Sequence, residues 1–204
     1  MYYELATLTL GLGTTARALP LIDEYVRARN AWGKFLGCWM ADIGELNQIV
    51  VLRGFEKEAD LQAERQRGLL SANPFGCGEF TIRLDMHSHA SFPWLPPVET
   101  GRMGPIYEIR TYELKIGGLA PTLEAWRLAL PARHAISPCL VAMYALDGTP
   151  RITSIWPVAT LEQRAKARSE SVQQGIWPPK GGPAWLATNM RSTICMPTAI
   201  SPLQ

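Results

Sequence analysis

The chain has 204 residues, of which 47% are hydrophobic and 19% charged, and 20 basic side chains nearly balance 18 acidic ones. This composition is typical of a globular protein, and a net charge of +2 without a long basic run argues against a nucleic-acid partner. No apolar stretch is long enough to span a membrane, no signal peptide opens the sequence, and the four cysteines are scattered. We therefore predict an unprocessed cytoplasmic protein with reduced, mostly buried thiols.

The first half of the chain contains six segments with the pattern of a regular element. They are strand 2–10, a helix from Thr14 or Thr15 to about Asn30, strands 34–42 and 47–55, helix 60–70 and strand 78–87. The order β-α-β-β-α-β is that of the ferredoxin-like motif, in which two helices cover one face of a four-stranded antiparallel sheet. The other face of such a sheet is left bare.

The second half repeats this plan. Its predicted elements are strand 106–114, helix 119–134, strands 138–146 and 151–156, helix 159–175 and a last strand near 188–196. A shift of 104 residues places Tyr3 and Glu4 on Tyr107 and Glu108. A period this long indicates tandem domains rather than a solenoid. We predict a first domain over residues 1–87, a Pro-rich linker over 88–104 and a second domain over 105–204.

The motifs of the second half resemble those of the NIPSNAP family. The motifs are Tyr-Glu-Ile-Arg-Thr-Tyr-Glu-Leu at 107–114, a later strand ending Ile155-Trp156, and a helix that carries Leu161, Arg164 and Arg168. The first half departs from this pattern, since Ala6 stands where the opening motif has arginine and Arg53 where the strand would end in tryptophan. A role that needs those side chains is therefore expected in the second half.

The resemblance implies an α+β protein of the dimeric α/β-barrel superfamily. Two tandem ferredoxin-like domains would pair their antiparallel sheets face to face as a barrel, within one chain or between two chains. The superfamily includes small monooxygenases, dehydratases and binding proteins, and the resemblance brings no catalytic residue that can be carried over. Fold alone does not define a function.

A candidate ligand site follows from alternation along the strands. If Tyr107, Ile109 and Thr111 pack against the helices, their neighbours point to the bare face that would line the barrel. The fourth strand of each copy would add further polar side chains beside the first. The predicted ligand-binding set is Glu108, Arg110, Tyr112 and Arg191 in the second copy, with Glu4, Arg83 and His87 in the first.

These residues support more than one interpretation. In one, Arg110 and Arg191 bind a small acidic or aromatic ligand, with Glu108 or His87 as a proton carrier. In another, the same side chains form structural ion pairs across the strands, and the protein acts through protein contacts. The alternative function is a cofactor-free enzyme of the monooxygenase or isomerase type. Three tryptophans, Trp94, Trp177 and Trp185, lie in the Pro-rich segments. They would either cover the barrel as lids or fill its ends as plugs.

No cofactor and no metal are predicted. His87 and His89 form an H-x-H pair without a third ligand at a diagnostic spacing, so a solvated strand end is the simpler interpretation. Gly11-Leu12-Gly13 lacks the third glycine of a dinucleotide loop, where Ala16 stands instead. Since each half has a small core, we predict a homo-oligomer.

Overall fold

The computed structural model describes residues 1–204, which form eight strands and four α-helices. The strands are β1 (Tyr2–Leu10), β2 (Lys34–Ile43), β3 (Gln48–Phe55), β4 (Thr81–Ser91), β5 (Ile106–Leu114), β6 (Val141–Ala145), β7 (Arg151–Val158) and β8 (Leu186–Pro197). The helices are α1 (Thr15–Val26), α2 (Glu58–Leu70), α3 (Leu119–Ile136) and α4 (Leu161–Gln173). None of these helices combines the length and apolar character that crossing a bilayer requires.

The eight strands close into one antiparallel barrel within a single chain. Their order around the barrel is β1-β3-β2-β8-β5-β7-β6-β4. It contains two ferredoxin-like sheets, β4-β1-β3-β2 and β8-β5-β7-β6, which meet along two seams, β2–β8 and β4–β6. The predicted fold class is confirmed, and the division into residues 1–87, 88–104 and 105–204 stays a prediction.

Several element boundaries differ from the sequence prediction, and the largest differences are at the end of α1 and the end of β4. The first helix ends at Val26 rather than near Asn30, because the backbone leaves the helical conformation at Arg27, where φ is −104° and ψ is 4°. Strand β4 begins at Thr81 and ends at Ser91, and both residues come later in the chain than the predicted bounds of 78 and 87. Its last residues, from His89 to Ser91, pair with β6 across the seam, a contact that analysis of one repeat by itself does not anticipate.

The interior of the barrel is an apolar core. Fifteen buried residues form it, including Tyr3 and Leu5 from β1 and Tyr107 and Ile109 from β5. The segment before β5 and the end of the chain also contribute, so the core is closed by parts of the chain outside the strands. The four cysteines are free and buried, as predicted.

The helices pack on the outside of the barrel. In the first half, α1 packs on β1. Its buried residues Ala18, Ile22 and Val26 belong to one cluster with Ala6 and Leu8, which face outward from β1. In the second half, a cluster rich in aromatic residues, with Trp126 of α3 and Trp156 of β7, fills the corresponding layer. The outward face of each sheet is therefore the face under the helices.

Candidate functional site

Glu108, Arg110 and Tyr112 lie between β5 and the helices, and not inside the barrel. Tyr107 and Ile109 belong to the interior core, and alternation sends the intervening side chains outward. The predicted orientation of these residues, and of Glu4 in the first copy, is therefore wrong. Once the barrel closes within one chain, its interior is the drier environment and takes the large apolar side chains, while the helices supply partners for the charges.

Glu108 is the centre of a charged cluster beneath α4. Its Oε1 accepts hydrogen bonds from Arg164 Nη2 at 2.5 Å, Ser192 Oγ at 2.6 Å and Arg110 Nη1 at 3.2 Å. Arg168 Nη1 lies 3.9 Å from the same oxygen. All four contacts use Oε1, so the carboxylate organises the arginines through one oxygen.

The cluster holds Glu108 in its ionised form. Burial raises its pKa, but the hydrogen bonds from Arg164 and Ser192 and the charge of Arg110 outweigh burial, and the pKa is lowered overall. Arg164 in turn has a raised pKa because it donates to this carboxylate. An ionised Glu108 serves better as an anchor for guanidinium groups than as a proton donor.

A cavity of about 40 Å³ adjoins this cluster. Its lining has ten residues. Six of them are polar or carry a phenol ring: Glu108, Arg110, Tyr112, Arg133, Ser154 and Arg168. The other four are apolar: Trp126, Trp156, Val172 and Trp177. Trp177 stands edge-on to Trp126, with ring centroids 4.7 Å apart. Trp177 comes from the Pro-rich segment before β8 and so covers this cavity rather than an end of the barrel.

The cavity carries an excess of positive charge. Its lining includes three guanidinium groups, those of Arg110, Arg133 and Arg168, against the one carboxylate of Glu108, and Arg164 adds a fourth beside that carboxylate. Arg133 is buried, its guanidinium stacks over Trp156 at 4.6 Å, and burial lowers its pKa. The buried Nε of Arg164 has no hydrogen-bond partner. Such a site attracts an anion.

The same place in the first copy is occupied by the protein itself. Arg53 stands opposite Glu4 on the neighbouring strand, as Trp156 stands opposite Glu108. The Arg53 guanidinium contacts Glu4 and Glu64, and Arg67 binds Glu64 at 2.6 Å. Two carboxylates thus meet two guanidinium groups, and Arg53 is only 1% exposed. The charges of this network balance, and of its four side chains only that of Arg67, which is 20% exposed, reaches solvent.

The other predicted site residues lie elsewhere. Arg191 is opposite Thr111 in the sheet, which places it on the face of Ile109 rather than that of Arg110. The predicted grouping of Arg191 with Arg110 is wrong, because the register between β5 and β8 pairs Ser192 with Arg110 and so turns Arg191 to the other face. On β4, Arg83 is half-exposed and binds Asp85 and Glu45.

The two histidines of β4 differ in their surroundings. His87 is 44% exposed and lies 3.5 Å from Asp147, with a pKa lowered by burial and by Arg151. His89 is buried rather than solvated, its Nδ1 is 3.2 Å from the carbonyl of His87, and its Nε2 has no partner. Neither ring reaches the cluster around Glu108.

Part of this site can be predicted from the sequence. Arg164 and Arg168 are spaced by four residues, which puts them on one face of α4, and that helix has few apolar residues to present to a sheet. A basic helix face toward a sheet predicts a carboxylate opposite it. No sequence pattern indicates that Arg133 and the three tryptophans belong to this site. Their approach to Glu108 depends on how α3 and the segment before β8 pack.

Solved structures with the same arrangement of strands and helices define the class of the fold. A candidate monooxygenase from Lactobacillus acidophilus NCFM superimposes with a TM-score of 0.67 at 9% identity, over 96% of this chain and 93% of that one. An anthrone oxidase-like protein gives a TM-score of 0.63 at 13% identity, over 97% and 91%. The chain thus has the fold of the dimeric α/β-barrel proteins. Sequence identities this low establish a shared fold and not a shared activity.

Sequence comparison identifies the family. The NIPSNAP family pattern matches residues 3–74 and 107–202. A protein NipSnap homolog of Dictyostelium discoideum is 24% identical over 180 residues, which cover 86% of this chain and 77% of the homolog. The chain belongs to the NIPSNAP family.

Proposed function

We propose that the second half of the chain binds a small carboxylate or a similar oxyanion in the cavity beside Glu108. The observation that carries this proposal is the difference between the two copies. In the first copy, Arg53 completes a balanced and buried network. In the second copy, Trp156 takes the equivalent place, and the cavity is lined by three guanidinium groups and one carboxylate, an excess of two positive charges.

The size of the cavity limits what it holds. A volume of 40 Å³ accommodates roughly three waters, or the head of one carboxylate, by the usual requirement of 10–15 Å³ for each water. Arg110 and Arg168 would supply charged hydrogen bonds to such a group. The tryptophan walls suit an apolar or aromatic remainder that displaces Trp177 outward, since that side chain comes from an irregular segment.

Binding is measured by titrating the protein with acetate and with benzoate at low ionic strength, following tryptophan fluorescence. Three tryptophans line the cavity, so an occupant should change their emission. Arg168→Ala removes a guanidinium that is not needed to satisfy Glu108. We expect this substitution to raise the Kd by roughly 10- to 100-fold, because the ligand loses one charged hydrogen bond.

The matched control is Arg127→Ala on α3, because Arg127 is exposed and pairs only with Glu124. It should bind as the unmodified protein does. The proposal fails if the unmodified protein binds neither carboxylate, or if Arg168→Ala and Arg110→Ala both leave the Kd unchanged.

The enzyme alternative has less support from the site. The likeness to a candidate monooxygenase and to an anthrone oxidase-like protein concerns the fold. Within the cavity, Glu108 has a lowered pKa, which does not suit a general acid at neutral pH. We therefore favour binding over catalysis. A cytoplasmic location and assembly as a homo-oligomer remain predictions, and the four buried free cysteines are compatible with a reducing compartment.

A further inference from the structure

Strand β8 has one edge without a partner over half of its length. It pairs with β5 from Leu186 to Cys195, but β2 accompanies it only from Ile194 to Pro197. Residues 188–192 are all exposed, and the Met190 side chain is 55% exposed. An open strand edge of this kind is a template for pairing with another strand.

The main-chain groups on this edge can be assigned by alternation. The N–H of Thr198 donates to the carbonyl of Cys38 on β2 at 2.9 Å, so even-numbered residues direct their N–H and C=O toward the β2 side. Where β2 has ended, Met190 and Ser192 direct theirs to the open side. No main-chain hydrogen bond outside the sheet reaches them.

The equivalent edge of the first copy is protected. On β4, the N–H of Ser88 donates to Asp147 Oδ2 at 2.8 Å, and the carbonyl of Ser88 accepts from Leu146 N–H at 2.8 Å. Arg65 Nη1 donates to the carbonyl of Met86 at 2.8 Å. The β4 edge thus has side-chain partners that the β8 edge lacks.

We propose that the open edge of β8 binds the same edge of a second copy of this chain, as an antiparallel pair centred on Met190. Met190 would exchange main-chain hydrogen bonds with its own counterpart, and Ser192 would lie opposite Thr188. A strand that pairs with itself in this way gives a closed two-fold dimer. This inference concerns a surface on the edge of the sheet and does not depend on the anion cavity.

Charge complementarity favours this occupant. Arg191 is exposed and has no ion-pair partner. In the pairing centred on Met190 it would lie opposite Asn189 of the other copy, whose Nδ2 binds Glu113 Oε1 at 2.7 Å. The guanidinium of each copy would thus approach the Glu113 carboxylate of the other. A pairing centred on Arg191 would instead oppose two like charges, which is unfavourable.

A charge exchange tests the pairing by sedimentation equilibrium. Arg191→Glu and Glu113→Arg should each weaken the dimer at least about tenfold, because each brings like charges together. The double variant should restore the dimer. Lys166→Glu makes the same change of charge at an exposed position on α4, and it should leave the dimer affinity unchanged. A monomer at the highest soluble concentration of the unmodified protein, or a dimer indifferent to both single changes, overturns the proposal.

Cross-linking tests the central residue without relying on electrostatics. Facing residues of a hydrogen-bonded antiparallel pair have Cα atoms about 5.5 Å apart, which a disulfide can span. Met190→Cys should therefore give a covalent dimer on mild oxidation, since the native cysteines are buried. Ile82→Cys on β4, 74% exposed, should stay monomeric under the same oxidation. Equal cross-linking at both positions would show random collision and contradict the pairing.

Discussion

Replacing Arg53 by methionine is expected to lower the free energy of unfolding by about 3–5 kcal/mol, the usual loss when one member of a buried ion pair is removed. Arg53 is 1% exposed and contacts Glu4 and Glu64, each of which is fully buried. Methionine fills most of the same volume but leaves Glu4 without a cationic partner. Urea denaturation at neutral pH, followed by circular dichroism, gives the change directly.

Two further variants make this result specific. Arg83→Met removes an arginine whose ion pairs with Glu45 and Asp85 are half-exposed, and it should change the free energy of unfolding far less than Arg53→Met does. The triple change Glu4→Gln, Arg53→Met and Glu64→Gln removes the buried charges together and should recover part of the loss. If Arg53→Met is as mild as Arg83→Met, the network does not hold the first copy together.

Mild acid is expected to destabilise the fold through His89. Burial is the main reason that its pKa is lowered from 6.5 to about 3, with Arg151 and His87 adding to the effect and Asp147 opposing it. The unfolded chain takes up a proton near pH 6.5, whereas the folded chain does not until near pH 3. Stability is therefore full above pH 6.5 and falls as pH decreases through this window, by on the order of 5 kcal/mol in total.

The measurement compares urea unfolding near pH 7 with unfolding near pH 5, above the range in which most carboxylates titrate. A loss of about 2 kcal/mol is expected over this interval. His89→Leu places an apolar side chain on the inner face of β4 and removes the titration, so the stability of this variant should change much less with pH. An unmodified protein whose stability is equal at both pH values would show that His89 is not held neutral by the fold.

Much of the fold could be predicted from the sequence because it rests on local patterns. Alternation along residues 2–10 and 106–114, and the repetition of one element order, are sufficient for two ferredoxin-like sheets. The closure of the barrel inside one chain depends on the two seams, which involve strands distant in sequence. The lengthening of β4 to Ser91 follows from one of these seams.

The site was harder to predict, because alternation defines two faces of a strand without saying which is inside. The strand at 106–114 has aromatic, aliphatic and charged residues on both faces. Closure of the barrel decides between them, and it places Tyr107 inside and Glu108 outside. The register between β5 and β8 then separates Arg191 from Arg110, since a shift of one residue reverses the face.

The comparison of the two copies supports a division of roles between them. The first copy uses Arg53, Glu4 and Glu64 to seal the layer between sheet and helix. The second copy, with Trp156 in place of Arg53, keeps its guanidinium groups beside a cavity that Trp177 covers. Under the proposed function, the first half of the barrel is sealed by its own charges and the second half binds the ligand.

The anion cavity is tested most directly by following the arginine side-chain Nε–H signals in a ¹⁵N-labelled sample during a titration with benzoate. We expect the signals of Arg110, Arg133 and Arg168 to shift together, with one saturation curve, while that of Arg53 stays in place. The chain thus carries its own internal control. Shifts of equal size at Arg53 and at the exposed Arg127, or no shift at Arg110 and Arg168, would contradict a specific site in the second half.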